Sequence, residues 1–261
     1  RGPMFDAHCH LDLLDDPSDA AAHARGAGVV GILIPGVLPE SWAKAQALAA
    51  TTPGVWWAPG LHPCWLGPAS TEADLLSKLE AAARSGAVAI GETGLDGRTA
   101  VAATKVHQQR MLRAHLALAR DLDLPVILHV VRAHEAALRV CREDGLPAAG
   151  AMVHGFTGSA ELAVRWAHLG CHLSIGGPVT WSPSKKRIAG IRAIPAHRLL
   201  VETDAPDQAP DPWRRDGEPG APAMLPAIIR AVAALRGECE SAVAVQTADN
   251  AANLLRVGQT G

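Results

Sequence analysis

The sequence lacks several patterns that would place it in a familiar class of protein. Its longest apolar run, GVVGILIPGV at 28–37, is too short and too interrupted by glycine and proline to span a bilayer. The phosphate-loop pattern GxxxxGK[ST] is absent, which gives little support to phosphate-loop nucleotide binding. The formal net charge of −2 provides no overall basic field for nucleic acid or a membrane. Any contact with a polyanion must therefore come from local charge or from a bound metal.

Paired cysteines are also missing. The five cysteines are odd in number and widely spaced, and none forms a CxxC pair, as expected for free thiols in a reducing compartment. No basic and apolar leader follows Met4. We therefore expect a cytoplasmic protein without membrane attachment or an obligate protein partner, most simply a monomer. Residues 1–3 are expected to be a remnant of expression, and residues 4–261 a single domain.

Short apolar segments alternate with amphipathic segments along the whole chain. Strands are predicted at 4–8, 29–34, 55–60, 87–91, 125–130, 151–155, 171–175 and 198–203. Helices are predicted at 18–26, 39–50, 71–84, 103–122, 133–143, 159–169, 183–193, 222–236 and 240–256. Continuous apolar strands that alternate with helices are typical of parallel strands buried on both faces. Eight such units predict a single (β/α)8 TIM barrel, with a doubly wound open sheet as the alternative.

Polar side chains interrupt these apolar strands at their carboxyl ends. They are His8, His10, His62, Glu92, His129, His154, Glu202 and Asp204. In a barrel, that rim is where catalytic groups gather. His8 and His10 are two residues apart, so on a strand both would point to the same side and converge on one cation. Imidazoles and carboxylates together would hold two metal ions, which activate water for the hydrolysis of an ester.

Each of these residues has a simpler explanation when it is taken alone. A single histidine in an apolar strand is most often a hydrogen-bonded core residue. Glu92 alone would be a charge at a helix N-terminus, and Asp204 alone would be a turn residue before Pro206. The whole set resists that explanation, because burying so many unpaired polar groups would cost a large amount of free energy.

The motifs around these residues resemble those of the TatD family of metal-dependent hydrolases. They are DAHCHLD, GLHP, AIGETGLD, HQQRMLRAHLALARDLDLPVILH, VHGFTGS, LGCHLSIGG and LLVETDAP, which follow one another through nearly the whole chain. VRAHEAAL and VETDAPD are most similar to the YjjV-like branch. The resemblance implies a TIM barrel of the amidohydrolase type and a deoxyribonuclease, often exonucleolytic, that depends on divalent cations.

Six side chains would hold two divalent ions, such as Zn, Mn or Mg, if the family's ligands are carried over by position. For the first ion they are His8, His10 and Asp204, and for the second His129 and His154, with Glu92 bridging the two. Asp204 would also take the proton from the attacking water, a role that suits a carboxylate within hydrogen-bond reach.

Further residues are predicted to contact the substrate or to support the ligands. The resemblance implies that His62 lines the same pocket and helps to hold substrate phosphate. Arg132 and Lys185 follow predicted strands near the rim, and we predict that they contact phosphate as well. Glu202 is predicted to support the ligands from behind or to bind a third ion.

The sequence departs from the family pattern near the expected substrate site. Residues 97–99 read Gly-Arg-Thr where the family often has aromatic residues, and Arg132 comes one position later than the arginine of the family's HxR pattern. We expect a phosphodiester hydrolase, most simply a 3'-5' exonuclease on single-stranded or frayed DNA. The alternatives are a hydrolase of another small ester, amide or phosphoester on the same metal site, and a metal-binding protein without catalysis.

Overall fold

The computed structural model describes residues 2–101 and 103–258, and in that part of the chain strands alternate with helices. The strands are β1 (Met4–Asp6), β2 (Val29–Pro35), β3 (Val55–Ala58), β4 (Ile90–Asp96), β5 (Val126–Val131), β6 (Ala151–Val153), β7 (Cys171–Ile175) and β8 (Leu199–Val201). The α-helices are α1 (Pro17–Gly26), α2 (Pro39–Thr51), α3 (Glu72–Ala83), α4 (Lys105–Asp121), α5 (His134–Asp144), α6 (Ala160–His168), α7 (Lys185–Ala193), α8 (Leu225–Arg236) and α9 (Glu240–Leu255). None of these helices has the length and apolar character needed to cross a membrane.

The eight strands are parallel and follow one another around a ring. β1, β2 and β3 pair in that order, and so do β4 to β8. Backbone hydrogen bonds join the two groups. Val88 N donates to Trp57 O at 3.1 Å between the β4 and β3 segments, and Ala7 N donates to Val201 O at 3.0 Å between the β1 and β8 segments. The predicted (β/α)8 barrel is therefore confirmed, and the doubly wound open sheet is wrong.

The core has two parts, on the two faces of the ring of strands. The larger part lies between the strands and the surrounding helices. The smaller part combines strand residues with α9, namely Phe5, Leu33, Ala58, Ile127, Met152 and Leu200 with Ala248, Ala251 and Leu254. Because α9 packs against these interior side chains, it covers the barrel at the amino ends of the strands. The opposite rim, at the carboxyl ends, is left for polar residues.

The predicted strand boundaries differ most at β4. The prediction ended this strand at residue 91, where the apolar run AVAIG stops. In the structure β4 continues to Asp96, and all seven of its residues are buried. Gly94 pairs with His129 and Asp96 with Val131 of β5. Several other strands are shorter than predicted, so that His8, His154 and Glu202 come just after a strand.

Residues 26–31, GAGVVG, have the Gly-x-Gly-x-x-Gly spacing of dinucleotide-binding turns. Such turns lead from a strand into a helix, whereas this segment leads from α1 into β2. Gly31 is explained by packing, because a Cβ there would lie 2.2 Å from the Phe5 ring. The segment therefore gives no support to a nucleotide cofactor.

His115 connects α4 to the loop that follows β3. It is fully buried, its Nε2 accepts a hydrogen bond from Leu61 N at 3.1 Å, and its Nδ1 donates to Met111 O at 2.7 Å. Burial lowers the pKa of His115 to about 4. Because Leu61 directly precedes His62, this neutral imidazole holds the start of the segment that carries His62.

We expect His115 to make the protein less stable as the pH falls. The unfolded chain binds a proton near the ordinary pKa of 6.5 and the folded chain only near about 4. Between these pH values the unfolded state binds more protons, so the free energy of unfolding should decrease on acidification, by up to about 3 kcal/mol from this residue. His115→Gln should flatten that decrease in denaturant unfolding with EDTA present.

The control for this prediction is His168→Gln, which changes an exposed histidine at the end of α6. It should keep the wild-type decrease in stability. Identical pH profiles for the wild type and His115→Gln would contradict the prediction.

Candidate metal centre

The structure brings together eight of the residues singled out from the sequence, at the carboxyl ends of the strands. They are His8, His10, His62, Glu92, His129, His154, Glu202 and Asp204. Seven of them are buried, and His10 is partly exposed. We call this group the rim cluster. It places five imidazoles and three acids in a space with little access to water.

His8 and His10 lie beyond β1, where the chain has already bent away from the strand. The prediction that they share one face of a strand is wrong in its geometry, because β1 ends at Asp6. Their side chains nevertheless converge. His8 Nε2 lies 3.2 Å and His10 Nε2 lies 3.6 Å from the same oxygen, Glu92 Oε2.

Glu92 lies at the centre of the rim cluster and is 1% exposed. Its Oε2 faces His8 and His10, as described above. Its Oε1 lies 2.9 Å from His129 Nδ1 and 2.8 Å from His154 Nε2. The two oxygens of one carboxylate therefore face two separate sets of imidazoles, which is the arrangement that a ligand bridging two ions needs.

Asp204 completes the side of the rim cluster that contains His8 and His10. Its backbone adopts a left-handed conformation, with φ of 55°, which aspartate tolerates better than most residues. Its backbone N donates to His8 O at 2.9 Å. Its Oδ1 lies 3.5 Å from His8 Nε2 and 3.6 Å from His10 Nε2, while Oδ2 accepts a hydrogen bond from Gln208. Burial raises the pKa of Asp204 to about 6.

The spacing of these atoms suits ligands of divalent ions. Two ligand atoms that each lie about 2.1 Å from one ion, at 90–120° to each other, are about 3.0–3.6 Å apart. The distances around Glu92 Oε2 are within this range, and the two distances from Glu92 Oε1 to His129 and His154 are 0.1–0.2 Å below it. Both ring nitrogens of His8 are buried without a hydrogen-bond partner in the described part of the chain. A cation beside His8 Nε2 would compensate one of them, so the donor set fits a metal centre.

His62 belongs to the rim cluster as a hydrogen-bond donor. Its Nδ1 accepts a hydrogen bond from Cys64 N at 3.1 Å, which leaves the ring proton on Nε2. That Nε2 lies 3.1 Å from Glu92 Oε1 and 3.1 Å from His129 Nδ1. In this tautomer His62 can donate to a carboxylate or a phosphate oxygen but cannot bind a metal through Nε2.

Glu202 lies behind His154 and is fully buried. Its Oε1 accepts a hydrogen bond from Gly155 N at 2.6 Å and lies 3.5 Å from His154 Nδ1. Its Oε2 has no hydrogen-bond partner among the described residues. The ligand atoms of His8, His154 and Glu202 are also close enough together to hold an ion. Glu202 thus contacts His154 from behind, as one of its two predicted roles requires, and its role as a ligand of a third ion stays a prediction.

Asp6 fixes the first strand to the segment that carries Asp204. Its carboxylate accepts hydrogen bonds from Thr203 N at 2.9 Å and from Thr203 Oγ1 at 2.6 Å, across 197 positions of sequence. It is fully buried, and this burial raises the pKa of Asp6 to about 8. The position of Asp204 beside His8 therefore depends on a polar contact just beneath the rim cluster.

The two basic residues predicted to contact the substrate, Arg132 and Lys185, lie in different places relative to the rim cluster. Arg132 directly follows β5 and is exposed at the rim. Lys185 is exposed at the start of α7 and lines an outer groove with other residues of that helix, so the structure does not bring it to the rim cluster. Arg187, two positions later and therefore on the opposite side of the helix, lines a small pocket with Gly155, Gly176 and Gln208. Arg187 is thus the basic residue of this run that lies towards the rim.

Asp96 was not singled out from the sequence, although it lies within the quoted motif AIGETGLD. It is 3% exposed, and its Oδ2 lies 2.9 Å from His129 Nε2. The prediction missed it because β4 was ended at residue 91, which placed Asp96 in a loop. A strand assigned through GETGLD would have put Asp96 beside β5 and close to His129.

Comparisons with known proteins agree with this geometry. A family model described as TatD related DNase matches residues 5–256. The chain is 38% identical over 269 residues to the "3'-5' ssDNA/RNA exonuclease TatD" of Pantoea vagans, covering 97% of this chain and 100% of that protein. It is 32% identical to the "Uncharacterized metal-dependent hydrolase YabD" of Bacillus subtilis, over 97% and 99% of the two chains. The crystal structure of YjjV, a TatD homologue from Escherichia coli, superposes with a TM-score of 0.87 at 31% identity over 98% of each chain.

Gly94 allows β4 to pass close to β5 beside His129. Its φ of 149° is one that residues with side chains rarely adopt, and a Cβ there would lie 2.0 Å from His129 O. The close approach helps to bring Glu92 of β4 and His129 of β5 within hydrogen-bond distance of each other. A glycine in the middle of a buried strand therefore serves the rim cluster.

We expect Gly94→Ala to lower the free energy of unfolding by roughly 3 kcal/mol or more, because it combines an unfavourable backbone conformation with a steric clash. Denaturant unfolding in EDTA measures the change. Gly26→Ala is the control, because nothing lies within 4 Å of the added Cβ. Its stability should change by no more than about 1 kcal/mol. An unchanged unfolding midpoint for Gly94→Ala would disprove this account of the glycine.

Proposed function

The chain belongs to the TatD-related DNase family, and from this we propose that it is a divalent-metal-dependent nuclease that removes nucleotides from the 3' end of single-stranded DNA. The observation that carries the proposal is Glu92, whose two buried oxygens face two separate sets of imidazoles. The full-length relative from Pantoea vagans, named as a 3'-5' exonuclease, supports the choice of substrate.

We assign two ions to the rim cluster. His8, His10 and Asp204 are the proposed ligands of the first ion, and His129 and His154 those of the second. Glu92 is the proposed bridge. Zn, Mn and Mg are the candidate ions, since imidazole favours Zn and Mn while carboxylate oxygen also suits Mg. A pair of divalent ions supplies positive charge that lowers the pKa of water and stabilises the attacking and leaving oxygens of a phosphodiester.

Asp204 is the proposed proton acceptor. Its Oδ2 is occupied by the hydrogen bond from Gln208, whereas its Oδ1 points towards His8 and His10. Oδ1 is therefore the atom that would take the proton of the attacking water, in keeping with a carboxylate as a general base. Gln208 holds the side chain in this orientation through Oδ2.

Substrate phosphate is the proposed partner of three donors around the rim cluster. His62 carries its proton on Nε2, directed at Glu92 and the centre of the cluster. Arg132 and Arg187 provide guanidinium groups, which bind phosphate through paired hydrogen bonds. This local positive charge would draw a nucleic acid strand to a protein whose formal net charge is −2.

We expect the metal-loaded protein to shorten a 5'-labelled single-stranded DNA from its 3' end. The products should form a ladder that phosphorothioate linkages at the 3' end block and that EDTA abolishes. Parallel digests of RNA, duplex DNA and small esters, each with Mg, Mn or Zn, define the substrate class. Turnover of a small ester or lactone without any cleavage of nucleic acid would reject the proposal.

Asp204→Asn should reduce that turnover by at least about 100-fold, because it removes a general base. Asp207→Asn is the matched control, since Asp207 is an exposed acid three positions later in the same loop. It should keep wild-type turnover. Equal activity of Asp204→Asn and Asp207→Asn would remove Asp204 from the mechanism.

The single domain at 4–261, the cytoplasmic location and the monomeric state stay predictions from the sequence. Residue 102 and residues 259–261 of that domain lie outside the described residues. Limited proteolysis, cell fractionation and sedimentation of the purified protein test these predictions one by one.

A further inference from the structure

Asp96 is buried next to the rim cluster without belonging to either proposed set of ligands. It is the last residue of β4, and its carboxylate reaches sideways to β5. Its Oδ2 lies 2.9 Å from His129 Nε2, on the side of the ring away from Glu92. A buried acid in this position needs an explanation, because burying a charge is costly unless that charge has partners.

The contact with Asp96 determines which nitrogen of His129 carries the proton. A neutral imidazole has one donor nitrogen and one acceptor nitrogen, and an ionised carboxylate only accepts. The ring must therefore carry its proton on Nε2 to donate to Asp96. Nδ1 then carries a lone pair on the side of Glu92 Oε1 and His154 Nε2, which lie 2.9 Å and 3.2 Å away, and a cation shared by these atoms would offset the repulsion between their lone pairs. That lone pair is what a metal ion requires.

Arg98 holds Asp96 from the other side. Its Nη2 donates to Asp96 Oδ2 at 2.6 Å, its Nε lies 2.9 Å from Oδ2 and 3.0 Å from Oδ1, and its backbone N donates to Oδ1 at 2.9 Å. This guanidinium places a positive charge directly against both carboxylate oxygens, which favours the ionised form of Asp96. Asp96 is therefore an ionised acceptor for His129.

Gln108 of α4 fixes the backbone of the same residue. Its Oε1 accepts a hydrogen bond from Asp96 N at 2.7 Å, and its Nε2 donates to Asp96 O at 3.2 Å. Cys64 Sγ adds a longer contact of 3.4 Å to Asp96 Oδ2. Both ends of Asp96 are thus fixed, so the carboxylate can impose an orientation on His129.

We propose that Asp96, held by Arg98, is a positioning residue that fixes the tautomer and ring orientation of His129 and thereby sets the affinity of the second divalent ion. This inference rests on the proposed function in one respect, which is that His129 is taken as a ligand of the second ion. Arg98 stands where the family often has an aromatic residue, so its part in this arrangement is not carried over from the family pattern.

Asp96→Asn tests the proposal, because the side chain keeps its size and loses its charge. Protein stripped of metal by EDTA and dialysed is titrated with Zn²⁺ against a chromophoric chelator. The wild type should bind two ions per chain. Asp96→Asn should keep the affinity of one ion and bind the other about 10–100-fold more weakly, as is usual when the partner of a metal-binding histidine is removed. Arg98→Ala should weaken the same ion by a smaller factor.

The matched control is Asp123→Asn. Asp123 also pairs with an arginine, Arg256, at 2.7 Å, but both side chains are exposed, and Asp123 precedes β5, at the end of that strand opposite to the rim cluster. This variant should bind two ions as the wild type does. The unfolding of each variant in EDTA is measured alongside, so that a general loss of stability is recognised.

A second measurement determines directly which nitrogen of His129 carries the proton. The ¹⁵N chemical shifts of the histidine rings in Zn²⁺-loaded protein at neutral pH report which nitrogen of His129 carries the proton, and the signals of His129 are identified by their loss in His129→Gln. We expect the proton on Nε2 in the wild type and a changed pattern in Asp96→Asn. If Asp96→Asn does not fold, the wild-type pattern alone decides.

Three results would overturn the inference. They are a proton on Nδ1 of His129, wild-type affinity for both ions in Asp96→Asn, and a loss of stability in EDTA with unchanged metal affinity. A wild type that binds two ions but cleaves no nucleic acid would reject the proposed function and leave this inference standing. A wild type that binds no ion at all would reject both.

Discussion

One buried carboxylate determines how the open end of the barrel is built. Burial alone would raise the pKa of Glu92, but the imidazoles of His154, His62 and His8 outweigh it and hold the pKa well below its ordinary value. An ionised acid away from water has to be offset by nearby positive charge or strong donors. The barrel meets this requirement by aiming side chains from several strands at the two oxygens of Glu92. The placement of His8, His62, His129 and His154 follows from that single demand.

Much of this arrangement could be predicted from the sequence. Apolar segments at regular intervals predicted the eight strands and the barrel, because parallel strands buried on both faces leave a strong pattern. Polar residues within such segments are conspicuous for the same reason, and eight of them do lie together in the structure. Their identity as histidines and acids then predicted metal chemistry. The family match through residues 5–256 agrees with both conclusions.

The errors have physical causes that lie outside local pattern. β4 continues through Glu92, Gly94 and Asp96 because these residues pair closely with β5. The β-propensities of single residues do not contain this contact with a neighbouring strand. Asp96 was missed in consequence. His8 and His10 converge through a bend after β1 and not through strand alternation. Lys185 was chosen from a basic run whose members point to different sides of α7, and Arg187 is the one that lies towards the rim.

The contact between Asp6 and Thr203 has a consequence for the synthesis of the protein. It joins residues 197 positions apart, and Asp204 follows at once. A ribosome that has made the first half of the chain has produced His8, His10, Glu92 and His129, but nothing yet to close the ring around them. Such a nascent chain presents a loose set of histidines without the last acid. With Asp204 in its proposed role, a chain that ends before the eighth strand lacks the last acid of the rim cluster and is expected to have no hydrolytic activity.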